Sequence, residues 1–206
     1  MEAFLTPEQR ALRQSVRDYF RRRPAPDTGE GAGETAAAAG ALSGWLAKLA
    51  ETRVGILERA IVVEEVSAVS PPLGRALVPS GDQTGLSPAE MTASEIAVSL
   101  GRAAGVLEAC QRAAREKGFF ESTLMDHQRA QMRLADVLSG LEAARLQAYR
   151  AFSLLDRGDS GRGERELARA AERASRVGAA ARDLAAALLA SDWLERGPEM
   201  HERSRS

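Results

Sequence analysis

Apolar residues return at alternating intervals of three and four through the second half of the chain. Three long runs keep this rhythm. The first holds Ile96, Leu100, Ala103, Leu107, Cys110 and Ala114; the second Leu134, Leu138, Leu141, Ala148, Phe152 and Leu155, with Arg145 as one polar break; the third Leu167, Ala170, Ala174, Val177, Ala181, Leu184 and Leu188. Such spacing lays one apolar stripe along each helix. It predicts helices over about Ser87 to Lys117, Met125 to Asp156 and Glu164 to Glu195. The loops between them, Gly118 to Leu124 and Arg157 to Gly163, are short enough to make the three helices antiparallel neighbours.

The first half is more broken. Thr6-Pro7-Glu8-Gln9 reads as a capping box with proline in the first turn, and so does Ser87-Pro88-Ala89-Glu90 ahead of the long helices. The opening helix is expected to run to about Arg23, where Pro24 and Pro26 stop it. Asp27 to Gly40 is low-complexity linker, and a short helix is expected around Trp45, Leu46 and Leu49. Ile56 to Val69 is apolar enough for a buried helix, with strand as the alternative because its centre is β-branched; Pro71-Pro72 end it. The division expected is an N-terminal helical region, 1–80, containing a flexible linker at 24–40, and a C-terminal three-helix bundle, 81–206, packed together as one unit. The fold expected is an all-α, up-and-down helical bundle without a β-barrel domain.

Composition agrees. With 39 alanines, 23 leucines and 9 aromatics in 206 residues, the chain lacks the β-branched and aromatic load of a sandwich or barrel. Its 28 basic and 29 acidic residues nearly cancel, which argues against an unspecific grip on nucleic acid or acidic lipid. Cys110 is the single cysteine, so an intramolecular disulfide is excluded, a cytoplasmic location is expected, and the thiol is read as core packing. His127 and His201 lie in different segments, and no metal site is expected. No basic-then-apolar leader follows Met1, and no run approaches the ~18 apolar residues of a membrane span. Neither a phosphate-binding loop nor a nucleophile elbow occurs.

The order of several fragments resembles the acyl-CoA dehydrogenase family. Leu5-Thr6-Pro7-Glu8-Gln9 with Leu12-Arg13 and Val16-Arg17 is similar to the family's opening helix, and Val63-Glu64-Glu65-Val66 leading to Leu73-Gly74-Arg75-Ala76-Leu77 to its buried helix and following turn. The longest correspondence runs through Leu107-Glu108, Lys117, Phe120, Leu124, Asp126-His127-Gln128, Leu134-Ala135-Asp136 and Leu141-Glu142-Ala143-Ala144-Arg145-Leu146. It follows the family's C-terminal helical domain.

The resemblance implies fold and oligomerisation, and it also marks what differs. In the family a β-barrel domain that holds the flavin ring separates the two helical parts, whereas here the Ser87 cap follows Leu77 by ten residues. At the family's flavin motif this chain reads Lys117, Phe119, Phe120 and Glu121, with a carboxylate in place of glycine near the diphosphate. Farther on, Asp183, Ala186 and Ala187 replace its Gln and Gly-Gly segment. Lys117, Phe120, Leu124 and His127 are the residues the resemblance puts against FAD held by a partner subunit. One family location for the catalytic glutamate falls at Met91, with Glu90 and Glu95 nearby but out of register, and the other lies beyond Ser206, so no catalytic residue is assigned.

Three readings follow. The resemblance favours a non-catalytic or regulatory subunit that binds no cofactor alone and pairs, as a homo- or hetero-oligomer, with a full-length FAD-dependent acyl-CoA dehydrogenase. A second is an active dehydrogenase whose site a partner completes. A third is a homo-oligomeric helical scaffold or an acyl-CoA-binding bundle without flavin, with Trp45 and Trp193 about an apolar pocket.

Overall fold

A computed structural model describes residues 4–21, 55–78, 86–116, 118–119 and 122–189. The linker at 24–40, the helix expected around Trp45, and Trp193 and His201 lie outside the described residues. Helix α1 spans Pro7–Arg21, α2 Ile56–Val69, α3 Pro71–Ala76, α4 Pro88–Glu116, α5 Gln128–Asp156 and α6 Ser160–Leu189. Strands β1, Gly118–Phe119, and β2, Ser122–Thr123, form an antiparallel pair between α4 and α5, so the segment expected as plain loop contains a tight hairpin. No described helix is long and apolar enough to cross a membrane.

Local chemistry sets the boundaries. Thr6 and Gln9 bond reciprocally, Thr6 N–H to Gln9 Oε1 at 3.0 Å and Gln9 N–H to Thr6 Oγ1 at 3.2 Å. Ser87 and Glu90 repeat the arrangement before α4. Pro71 and Pro72 do end α2, and they also start α3. The preceding Ser70 is extended (φ −138°, ψ 94°), as a residue before proline prefers, and the prolines occupy first-turn positions where no N–H is needed. Helix α5 starts at Gln128 rather than near Met125 because Leu124–Asp126 form a 3-10 turn. Between α5 and α6, Gly158 (φ 81°) accepts the left-handed conformation; its N–H reaches Leu155 O at 2.9 Å while Asp159 N–H reaches Leu154 O at 3.0 Å. Asp159 then caps α6 through Arg162 N–H, which moves that helix's start from Glu164 to Ser160.

The three long helices pack up and down. Gln147 Nε2 lies 3.5 Å from Glu166 Oε2, and a Cβ on Gly140 would stand 3.5 Å from Val177 Cγ2, so α5 and α6 run antiparallel. Every stripe residue expected on α4 and α6 is buried. On α5 Leu134, Leu141, Ala148 and Phe152 are buried, Leu155 is half-buried, and Leu138 is 41% exposed. Leu138 borders a cleft, described below, that no apolar side chain fills.

Helix α2 makes the closest helix approach. It runs parallel to α4, and a Cβ on Gly101 or Gly105 would collide with the backbone carbonyl of Glu64 or Ala68. A Gly-x-x-x-Gly pair on α4 thus lets two backbones meet with no side chain between them. Ile61, Val62, Val63 and Val66 are essentially inaccessible, and the buried cluster runs from Leu5, just ahead of α1, to Leu188 on α6. Cys110 packs in it, and burial pushes its thiol up.

Candidate functional site

The most deeply buried charged groups sit where α1, α2 and α5 meet. Glu64 and Glu65 interrupt the apolar run of α2 and are 1% and 4% exposed. Arg145 and Tyr149, one helical turn apart on α5, both reach Glu64: Arg145 Nε donates to its Oε1, and the Tyr149 hydroxyl donates to Oε2 at 2.8 Å. Arg145 Nη1 also donates to Glu142 Oε1 at 2.5 Å. Glu65 turns toward α1, where Arg13 Nε meets Oε1 at 2.5 Å and Arg17 reaches Oε2 through Nε at 2.9 Å and Oε1 through Nη2 at 3.0 Å. Two adjacent carboxylates therefore clamp α2 to two different helices.

Electrostatics bind the cluster further. Burial disfavours the Arg145 cation, yet Glu64, with smaller contributions from Tyr149 and Glu142, outweighs that and holds its proton more tightly than in free arginine. Arg13 follows the same logic: burial opposes its charge, and Tyr149 and the neighbouring glutamates more than restore it. The Tyr149 phenol is driven well above its usual value, first by burial and then by the Glu64 carboxylate it faces. Both Glu64 oxygens are engaged by protein donors and almost no surface reaches water. A general base must reach a substrate proton, and Glu64 is turned wholly inward. The cluster joins helices.

A cleft of about 330 Å³ opens beside it, between α1, α4 and α5. Arg10, Arg13, Arg17 and Arg145 line it together with Glu108 and Glu142 over an apolar floor of Leu107, Leu138 and Leu141. Three of these arginines are already engaged, Arg13 and Arg17 with Glu65 and Arg145 with Glu64 and Glu142.

The residues singled out for FAD fall differently. Lys117, Phe120 and Glu121 lie outside the described residues. Leu124 is 2% exposed and packs into the hydrophobic core. His127, half-buried, is the N-cap residue of α5; its carbonyl accepts from Ala130 N–H at 2.9 Å. Beside it the exposed Asp126 carboxylate accepts from Thr123 N–H at 2.7 Å and Thr123 Oγ1 at 2.8 Å. Those bonds, and to a smaller degree His127, hold it below the usual aspartate range. Of the carboxylates near the family's catalytic position, Glu90 accepts from Ser87 N–H at 2.7 Å and from Ser87 Oγ at 2.8 Å. Glu95 pairs with Arg75 on the surface. Among the described residues no three His, Cys, Asp or Glu side chains converge as a metal site.

The sequence pattern marked the clamp only indirectly: Arg145 as the one polar break in an apolar stripe, and Glu64-Glu65 inside an apolar helix. Both are the signal a buried ion pair leaves, yet neither names its partner.

The family model of the acyl-CoA dehydrogenase C-terminal domain matches residues 90–203, a span that takes in α4, the hairpin, α5 and α6. No curated protein and no solved structure matches the chain. With more than half of its length inside that domain, and with the long helices in the order the resemblance required, this chain belongs to the acyl-CoA dehydrogenase family.

Proposed function

We propose that the protein is a non-catalytic subunit that pairs with a full-length FAD-dependent acyl-CoA dehydrogenase. The observation that carries this reading is internal to the chain. Only nine residues separate Leu77 from the Ser87 cap, and α2 touches α4 backbone to backbone at Gly101 and Gly105. A domain able to hold a flavin ring has no place in that connection, and the polar cluster behind it is consumed in joining helices.

On this reading the partner carries both FAD and the catalytic base. The stretch from Lys117 through Phe120 to His127 is where this chain meets the partner's flavin, with Leu124 holding the turn from within. Such a pair works in the cytoplasm. Co-expression with full-length acyl-CoA dehydrogenases, followed by size-exclusion chromatography and visible spectroscopy, tests it. The expected result is co-elution with one partner, with flavin absorbance at that partner's stoichiometry, and a colourless chain when purified alone. Elution of this chain by itself beside every candidate overturns the pairing. Uptake of one equivalent of FAD by the isolated chain, with oxidation of an acyl-CoA, overturns the non-catalytic role.

A further inference from the structure

A second cleft, of about 580 Å³, lies between α2, α3, α4 and α6 and shares no lining residue with the first. Its floor is apolar, with Val69, Val98 and Val106 among its lining residues, whereas its charged lining consists of Arg75, Arg102 and Arg182 against Glu95 alone. Arg75 is paired with Glu95. Among the described residues neither Arg102 nor Arg182 has an ion pair, so within that set two of the cleft's three guanidinium groups are left without a paired carboxylate. At Gly178 a Cβ would stand 3.5 Å from Ser99 Oγ, whose hydroxyl donates to Ala174 O at 3.4 Å, and 3.6 Å from Arg182 Nη1, so a hydroxyl and a guanidinium flank the same bare stretch of α6. A larger residue at that position would fill the approach to both.

We propose that this cleft binds an amphiphilic oxyanion, a phosphate or carboxylate head on an apolar body, with the head between Arg102 and Arg182 and the body along Val98 and Val106. A guanidinium offers a planar fork of donors matched to such a head, and it is the more effective where water is partly displaced. The volume lies within the roughly 300–1,000 Å³ of small-molecule sites, and an apolar floor with a few converging polar groups is their usual make-up. In the first cleft Arg13, Arg17 and Arg145 are instead committed to Glu64, Glu65 and Glu142. The proposal does not depend on pairing with a dehydrogenase.

Titration calorimetry of the full chain with dodecyl phosphate, below its micelle concentration, tests the site. Saturable binding at one per chain is expected, with inorganic phosphate and dodecyltrimethylammonium each weaker by about tenfold or more, since the first lacks the body and the second inverts the head. The double variant R102Q/R182Q, at exposed positions and checked for folding by circular dichroism, should weaken dodecyl phosphate by about tenfold or more. Equal affinity in the double variant, or for the cationic amphiphile, overturns the site. So does binding to phosphatidic acid vesicles with none to monomeric dodecyl phosphate, which would assign the arginines to a membrane surface.

Discussion

Helix α2 is held on two sides by opposite means. Toward α4 it offers bare backbone, and Gly101 and Gly105 bring the second backbone against it. Toward α5 it extends Glu64, 1% exposed, to the guanidinium of Arg145 and the hydroxyl of Tyr149. The glycine seam gains from closeness and has no desolvation cost, but it tolerates no added atom. The ionic seam takes charges out of water and recovers that cost only while every partner is present. One seam is vulnerable to addition and the other to deletion.

Breaking the ionic seam is expected to have the largest effect. Glu64→Ala leaves Arg145 charged and buried with only the partly exposed Glu142 as counter-charge, and unfolding in urea should show a loss of about 3–5 kcal/mol. The double variant Glu64→Met with Arg145→Met should recover most of it. A double variant as unstable as the single one would mean that the ion pair is not the source of the loss.

Adding an atom to the glycine seam comes next. Gly101→Ala drives a methyl into the Glu64 carbonyl, and backbone cannot step aside as a flexible side chain can, so thermal unfolding should show a cost of about 1–3 kcal/mol despite the better helix propensity of alanine. Gly140→Ala is the matched control on α5. Its Cβ meets only Val177 Cγ2 at 3.5 Å, an ordinary contact, so the same substitution should stabilise by about 0.5–1 kcal/mol. If both glycines respond alike, helix propensity rather than closeness decides the seam.

Tyr149→Phe deletes one hydroxyl from the ionic seam and leaves Glu64 Oε2 without that donor. A loss of about 1–3 kcal/mol in urea unfolding is expected. Because Arg145 remains, the effect should stay below that of Glu64→Ala; a larger one would assign the tyrosine the leading role.

The smallest effect tests the cap between the seams. Asp126 has a carboxyl held below its ordinary value of 3.8 by bonds from Thr123. A depressed folded-state pKa contributes stability that is present above the unfolded value and is lost as pH falls through the folded one. Stability measured from pH 5 downward should therefore fall less steeply in Asp126→Asn than in the parent chain, and the two should be parallel above pH 5. Identical slopes below pH 5 would show that the cap does not couple to folding.

Much of the fold was legible because helical periodicity is a local property. The stripes on α4 and α6 are buried residue for residue, and the capping boxes at Thr6 and Ser87 formed where residue types three apart can bond. Errors gathered where two local rules compete. Pro71-Pro72 do stop α2 as read, but proline also suits a helix start and the short α3 they open was not anticipated; Gly163 read as loop, though Asp159 had already capped α6. Leu138 kept the period yet stayed 41% exposed, since periodicity names a face and not what covers it.

The candidate site was harder to read because its members lie far apart. Glu64 is 81 positions from Arg145 and 85 from Tyr149. A sequence shows that a charge interrupts an apolar stripe, and solvation chemistry then demands a partner, but several arginines and glutamates were eligible. The same holds for Gly101 and Gly105, whose spacing marks one helix face without saying which backbone presses on it. By itself, then, the sequence determined the helices, their caps, their buried faces and the family, all of which rest on neighbours within a turn or two. Only the tertiary structure decided which carboxylate meets which guanidinium, where two backbones touch, and which arginines line which cleft. Those are facts of distance in space, and chain separation does not encode them.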